Sequence, residues 1–278
     1  LRKNAFRLTI PHMTKFSVLQ CLNSQTHLGH KTSEWNPNMA SFILGQRLNH
    51  HVLDISKQQS SLKRALRVAS QTAASVGTDG ILFMGKSPKT VGSARAFRSH
   101  NPYEQILKNS ACSVGASYFN GDTQVWVNGT FTNWQQTSKA SNSKGVRNPV
   151  GVSSCGFAAA QGSSSRKYVP GLAESHAGTA ANPLPESTHT LEVLTNNRMA
   201  LPSLIFAIGV SNLEQPLREA HKVGIPIIGV LDSDCNPRIS NQFIDYIIPG
   251  NDDSIRSYAF FCSLISQAIQ EGKQKIGA

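Results

Sequence analysis

Apolar positions recur along this chain with two different spacings, and the switches between them mark its elements. From about Lys57 to Val76, the residues Leu62, Ala65, Leu66, Ala69, Ala73 and Val76 fall three or four apart on one helical face, with Lys63, Arg64 and Arg67 off it. The run at 80–84 (GILFM) is continuous and strand-sized. Helical segments are expected around 90–99 and 103–110, and a short strand near 116–119. Residues 202–278 give the cleanest pattern. Leu204–Ile208 is a buried-strand run, Asn212 can cap a helix over 213–223, Pro216 sits in its first turn, and Gly224 can close it. Ile227–Leu231 is a second buried strand and 244–248 a third. Asn251, Asp252 and Asp253 then open a long helix whose stripe is Ile255, Tyr258, Ala259, Cys262, Ile265 and Ile269. Strands without polar alternation, separated by helices, predict an α/β fold with a parallel sheet covered on both faces.

Between these halves the material changes. About two thirds of residues 137–190 are Ser, Gly, Ala, Asn, Thr or Pro, with no hydrophobic period, and such a segment buries too little apolar surface to offset its ordering entropy. It is expected to be a mostly irregular insertion, ordered only by a partner. The chain therefore divides into an N-terminal extension (1–50), the first part of the α/β domain (51–134), the insertion (135–201) and the second part of the domain (202–278).

Charge adds a direction to this plan. There are 27 Lys+Arg against 16 Asp+Glu among 278 residues, a formal net charge of +11. Residues 1–134 hold 15 basic and 5 acidic side chains, whereas residues 202–278 hold 6 and 8. A polyanion is the expected counterpart, met by the N-terminal half. The first acidic residue is Glu34, after Arg2, Lys3, Arg7, Lys15 and Lys31, and position 1 is not Met. That start resembles a transit peptide, so a processed organellar chain is expected. Five cysteines (Cys21, Cys112, Cys155, Cys235, Cys262) lack CxxC spacing, which predicts neither a disulfide framework nor a zinc ribbon and leaves a reducing compartment as the default. No run reaches the ~18 apolar residues that span a bilayer.

Candidate chemistry is sparse. GxGxxG after the first strand, GxxxxGK[ST] and GxSxG are all absent. Gly85-Lys86-Ser87-Pro88-Lys89 follows a strand and could turn backbone N–H groups toward phosphate, while Lys86, Lys89, Arg95 and Arg98 could equally grip RNA or simply be solvated. His27 and His30 have HxxH spacing, with His50 and His51 downstream, but no further ligands complete a metal site. Asp232, Asp234, Asp252 and Asp253 are expected to approach one another at the strand C-terminal ends. Helix capping is their leading reading, and a structural divalent ion near Asp232 and Asp252 the minority one. Trp35-Asn36-Pro37-Asn38-Met39, between Lys31 and Arg47, interleaves stacking planes, amides and cations as RNA-binding surfaces do, and residues 126–134 (WVNGTFTNW) repeat that chemistry. For each tryptophan, core packing is an equal alternative.

Taken in order, "HLGHKTSEWNPNM", "FILGQR", "HVLDISK", "ILFMGK", "GTFTNW", "PSLIFAI", "EAHKVGIPIIGVLDSDCNP" and "YIIPGNDDSIRS" resemble the universal small-subunit ribosomal protein family numbered two, in its bacterial and organellar form. The resemblance covers about residues 14–134 and 202–270. It implies a flavodoxin-like α/β domain with an N-terminal helical and hairpin extension, lying between head and body of the small subunit. It implies no catalytic activity, no cofactor, no small-molecule substrate and no membrane. The expected partners are small-subunit rRNA and neighbouring ribosomal proteins; bacterial members also help hold the large mRNA-binding subunit protein. Residue by residue, the positions matching the family's rRNA- or protein-facing motifs are His30, Lys31, Trp35, Asn36, Pro37, Arg47, Gly129, Thr132, Asn133 and Trp134. Three departures stand out. Val125-Trp126-Val127-Asn128-Gly129 lacks the family's arginine, Lys86-Ser87-Pro88-Lys89 replaces its Thr-Lys-Arg-like turn, and the low-complexity stretch replaces its charged helical hairpin. With the acid-free start, these favour a mitochondrial member over a plastid or bacterial one. The rivals from other classes are a nucleotide-binding enzyme on the same sheet and an extraribosomal interaction protein.

Overall fold

The N-terminal extension folds as a small unit of its own before the main sheet begins. The computed structural model describes residues 16–88, 101–124, 126–134, 153–154, 201–237 and 242–275. Helix α1 (Val18–Asn23) starts on Ser17, whose side chain accepts the Gln20 N–H while the Gln20 side chain accepts the Ser17 N–H, a reciprocal cap. Three short antiparallel strands follow, β1 (Leu28–Lys31), β2 (Ile43–Arg47) and β3 (His50–Leu53), in the order β1-β3-β2. A 3-10 turn, Pro37–Phe42, separates the first two, opened by Pro37 and capped by the Asn36 side chain. Arg47 pairs with His50, so Leu48 and Asn49 form a two-residue turn. Both have positive φ, 49° and 62°. This is the hairpin turn whose twist suits the flanking strands, but its usual occupants are Asn and Gly, and a leucine there costs about 1 kcal/mol.

The main sheet joins the two halves of the sequence. Its strands are β4 (Ile81–Gly85), β5 (Ser117–Asn120), β6 (Ser153–Ser154), β7 (Leu204–Ile208), β8 (Ile227–Leu231) and β9 (Tyr246–Pro249), in the order β6-β5-β4-β7-β8-β9. All neighbours are parallel except β6, which runs antiparallel along the edge of β5. Counting only the parallel strands, the order is second, first, third, fourth, fifth, which is the flavodoxin-like arrangement the family resemblance implied. Its winding reverses between β4 and β7, and the crevice beyond the C-terminal ends of those strands is where sheets of this type hold ligands.

Helices α2 (Ile55–Val76), α3 (Pro102–Val114) and α5 (Ile255–Gln274) pack on one face, and α4 (Glu214–Val223) on the other. The first core joins Leu62, Leu66, Phe83, Phe206, Tyr258, Phe261 and Ile265; the second joins Met84, Phe119, Phe131, Ile205 and Leu217. Within the predicted stripes, Val76 and Ile255 are exposed, each at a helix end where the sheet no longer lies beneath. α2 and α5 cross closely at Gly272, where an added Cβ would lie 2.2 Å from the Ser70 carbonyl oxygen and 2.9 Å from the Ala73 Cβ. Backbone cannot yield as a side chain tip does, so Gly272→Ala should cost about 2 kcal/mol, read as a lower denaturation midpoint at unchanged slope.

Several expectations need correction. Asn212 does not cap α4; it ends a 3-10 turn (Val210–Asn212), and α4 begins after Leu213 with no side-chain cap. The last strand lies two residues beyond the predicted start, because Ile244 turns into the core and the Asp245 carboxylate accepts the Ile227 N–H. Asp252 and Asp253 do not cap α5. They lie in the turn before it, where the Asn251 side chain accepts the N–H groups of Asp253 and Ser254. Cys112 is disulfide-bonded, whereas Cys21, Cys235 and Cys262 are free and buried; a single bond is not a disulfide framework. Within the insertion, expected to be mostly irregular, Ser153 and Ser154 form a two-residue strand. The helix expected at 90–99 lies outside the described residues. No helix among the described residues is long and apolar enough to cross a membrane.

Candidate nucleic-acid interface

The extension is latched across the ends of the main strands, and the latch decides which of its side chains face outward. Asn251 N–H donates to the Thr26 carbonyl (3.0 Å) and its side chain to the Gln25 carbonyl (3.1 Å). Buried Gln58 donates to the carbonyls of Thr26 (3.2 Å) and Pro249 (2.9 Å), tying extension, α2 and β9 together. The N–H of His30 donates to the Ser233 hydroxyl and that of Asn36 to the Ser233 carbonyl, both at 2.8 Å. β1 approaches so closely that a Cβ on Gly29 would lie 2.8 Å from the Ser233 hydroxyl. Only glycine allows this docking, which places β1 over the crevice.

At the centre of the latch lies His30. Its Nδ1 is 3.4 Å from an Asp232 carboxylate oxygen and its Nε2 is 3.1 Å from one of Asp253. Asp232 is 1% exposed, His30 19% and Asp253 43%. The two carboxylates hold the ring charged, pushing its pKa up to about 11 against the opposing effect of burial. Asp252 is buried beside the cluster. Loss of water and the like charges of Asp232, Asp234 and Asp253 raise its carboxyl well above the ordinary range. The four aspartates thus gather at the strand ends as expected, lining a cleft of about 880 Å³ together with His30, Lys31, His50, Lys86 and Ser87. The group between them is an imidazolium. Among the described residues no cluster of His, Cys, Asp and Glu is arranged to hold a metal ion.

This geometry sorts the predicted contact residues. His30 borders the cleft with both ring nitrogens engaged by carboxylates. Asn36 and Asn38 are likewise used internally. The Asn36 side chain accepts the Asn38 N–H (3.0 Å), and the Asn38 amide donates to the Asn236 side chain (3.2 Å). Trp35 is half-buried with its ring 4.9 Å from that of His51, and Pro37 is exposed at the start of its turn. Trp126 and Trp134 pack against the second core, with Trp126 4.9 Å from Phe131 and Phe131 6.5 Å from Trp134. The Glu219 carboxylate accepts the N–H groups of Gly129 (2.9 Å) and Phe131 (3.4 Å), fixing this segment on α4. Of its residues only Thr132 and Asn133, among those predicted, are exposed. Lys86 is half-buried on the cleft; the backbone beside it is committed elsewhere, since the Ser87 N–H donates to Asp122 (2.9 Å). Lys89, Arg95 and Arg98 lie outside the described residues.

One rung of the small sheet is exposed, and two of its members, Lys31 and His50, also border the cleft. Lys31 is paired with His50 and His50 with Arg47, so three exposed basic side chains stand in line across β1, β3 and β2. The Thr32 N–H donates to the Asn49 carbonyl at 2.9 Å, bracing the hairpin against β1. Sequence reasoning found Lys31 and Arg47 but read His50 only as half of a histidine pair. The missing signal was strand register, which carries no motif. Two cations, Lys31 and Arg47, aligned with the His50 ring on a rigid ribbon suit the phosphates of a folded nucleic acid.

The pattern of the family described as Ribosomal protein S2 matches residues 21–272. The small ribosomal subunit protein uS2 of Jannaschia sp. is 31% identical over 261 residues, covering 94% of this chain and 81% of that protein. Its counterpart in Brucella ovis is 31% identical over 260 residues (94% and 88%), and that of Paracoccus denitrificans 29% over 261 (94% and 85%).

Proposed function

This chain belongs to the ribosomal protein S2 family, and from that premise we propose that it is a non-catalytic structural constituent of a small ribosomal subunit, binding rRNA through its N-terminal extension. The observation that carries the RNA-binding part is the rung of Lys31, His50 and Arg47 on the outer edge of the latched sheet. Lys86, Trp35, Pro37, Thr132 and Asn133 extend the contact surface. Neighbouring ribosomal proteins meet the less basic remainder, where acidic residues outnumber basic ones over 202–278. The place between body and head rests on the family resemblance. A mitochondrial ribosome is the proposed location, supported by the departures from the bacterial pattern at 86–89, at 125–129 and in the low-complexity stretch. The crevice at the sheet's reversal of winding is overlain by the chain's own β1 and walled by four aspartates, surroundings ill suited to a phosphate-bearing cofactor.

The test is sedimentation. Tagged protein expressed in cells should comigrate with small subunits of mitochondria on a sucrose gradient and leave that fraction when the salt is raised. Migration wholly apart from ribosomes would refute the proposal.

A further inference from the structure

The tip of the β2–β3 hairpin carries an apolar side chain where the fold gives no reason for one. Leu48 is 87% exposed, the highest value among the large hydrophobics of the described residues. Its backbone is left-handed, with φ 49°, a conformation that favours Asn or Gly. The position thus carries two local costs, backbone strain and a leucine in water, and no packing within the chain offsets either. Beside it stand Arg47 and His50, which flank the turn, and Lys31 one strand over. Asn49 completes the turn and is exposed.

An apolar wedge at the turn of a braced hairpin, with Leu44 of β2 also exposed and the cations Arg47 and Lys31 beside it, matches one chemistry closely. Phosphates of folded RNA engage the cations, and an unpaired or weakly stacked base leaves an apolar gap that a branched side chain can enter. Apolar wedges of this kind, leucine among them, are inserted between base steps by proteins that grip nucleic acid shape. We infer that Leu48 is a base-stacking wedge, inserted at a bulge or unpaired position of rRNA while Lys31, His50 and Arg47 hold the flanking phosphates. The inference rests on the RNA-binding reading above and adds to it a preference for interrupted over continuous duplex.

The experiment compares two RNAs, a 20-base-pair duplex and the same duplex with one unpaired purine, binding to the full chain. Wild type should prefer the bulged RNA by about tenfold, the affinity equivalent of one wedge contact. Leu48→Gly should abolish that preference and leave the salt dependence of binding unchanged, since no charge is lost. Because glycine relieves the left-handed strain, its thermal midpoint should equal or exceed that of wild type, which separates lost contact from lost fold. Leu48→Met should keep most of the preference. Equal affinity of wild type for both RNAs, or a preference that survives in Leu48→Gly, overturns the wedge. A surviving preference combined with poor incorporation of Leu48→Gly into subunits also overturns it and assigns the leucine to a protein neighbour. Absence of binding to either RNA at low salt would instead sink the underlying RNA reading.

Discussion

Replacing His30 by alanine should destabilise the protein by about 3 kcal/mol, because it leaves the buried Asp232 carboxylate facing Asp252 with no cation between the strands. Asp253→Asn should cost under about 1 kcal/mol, since that partner is 43% exposed and water screens it. The two variants therefore separate the buried half of the bridge from the exposed half. The effect has a pH signature. In the unfolded chain His30 titrates near 6.5, and in the fold its pKa is pushed up to about 11. The stability it adds is thus fully present below pH 6.5 and is lost as pH climbs toward 11. The slope is at most about 1.4 kcal/mol per pH unit for one proton. Asp252 acts in the same sense, because a carboxyl with a raised pKa binds its proton more tightly folded than unfolded. Denaturation midpoints of wild type should fall between pH 7 and pH 9, and His30→Ala should show a much shallower decline. A parallel decline in both proteins would remove His30 from the latch.

The same residue shows what could be read from the sequence and what could not. The sheet was legible because its strands are continuous apolar runs, and Leu204–Ile208 and Ile227–Leu231 appear at their predicted positions. α2 was legible from its stripe, although it starts two residues before the predicted position, capped by Asp54. Long-range pairings were not legible. His30 lies about two hundred positions from its partners, and nothing local distinguishes a histidine that binds phosphate from one that neutralises a buried aspartate. The four aspartates were correctly placed at the strand ends, yet their leading reading as helix caps failed: α5 starts after Ser254 with no side-chain cap, and the turn before it is held by Asn251. Trp126 and Trp134 are partly buried and pack against the second core, the ordinary fate of an aromatic residue. Leu48 was passed over entirely, since a turn without glycine or proline carries no signal of its own.

Reversing the charge of Lys31 and Arg47 together should have the largest effect on binding, lowering affinity for structured RNA roughly 100-fold or more at 0.1 M salt. Each cation that leaves a phosphate also reduces the number of counterions released, so the slope of log affinity against log salt should become shallower by about 2. The fold should be untouched, because both side chains are exposed and neither forms an ion pair with a described residue. The matched control is Lys222→Glu with Lys273→Glu, which changes net charge equally but in the last third of the chain, in the final turns of α4 and α5. If general electrostatic attraction governed binding, the two double variants would lose affinity alike. If the rung of the small sheet is the contact, only the first loses it, and cells carrying that variant should show it depleted from small subunits. An undiminished share in those subunits, with the protein folded, would mean that the aligned cations face solvent and that the RNA lies elsewhere.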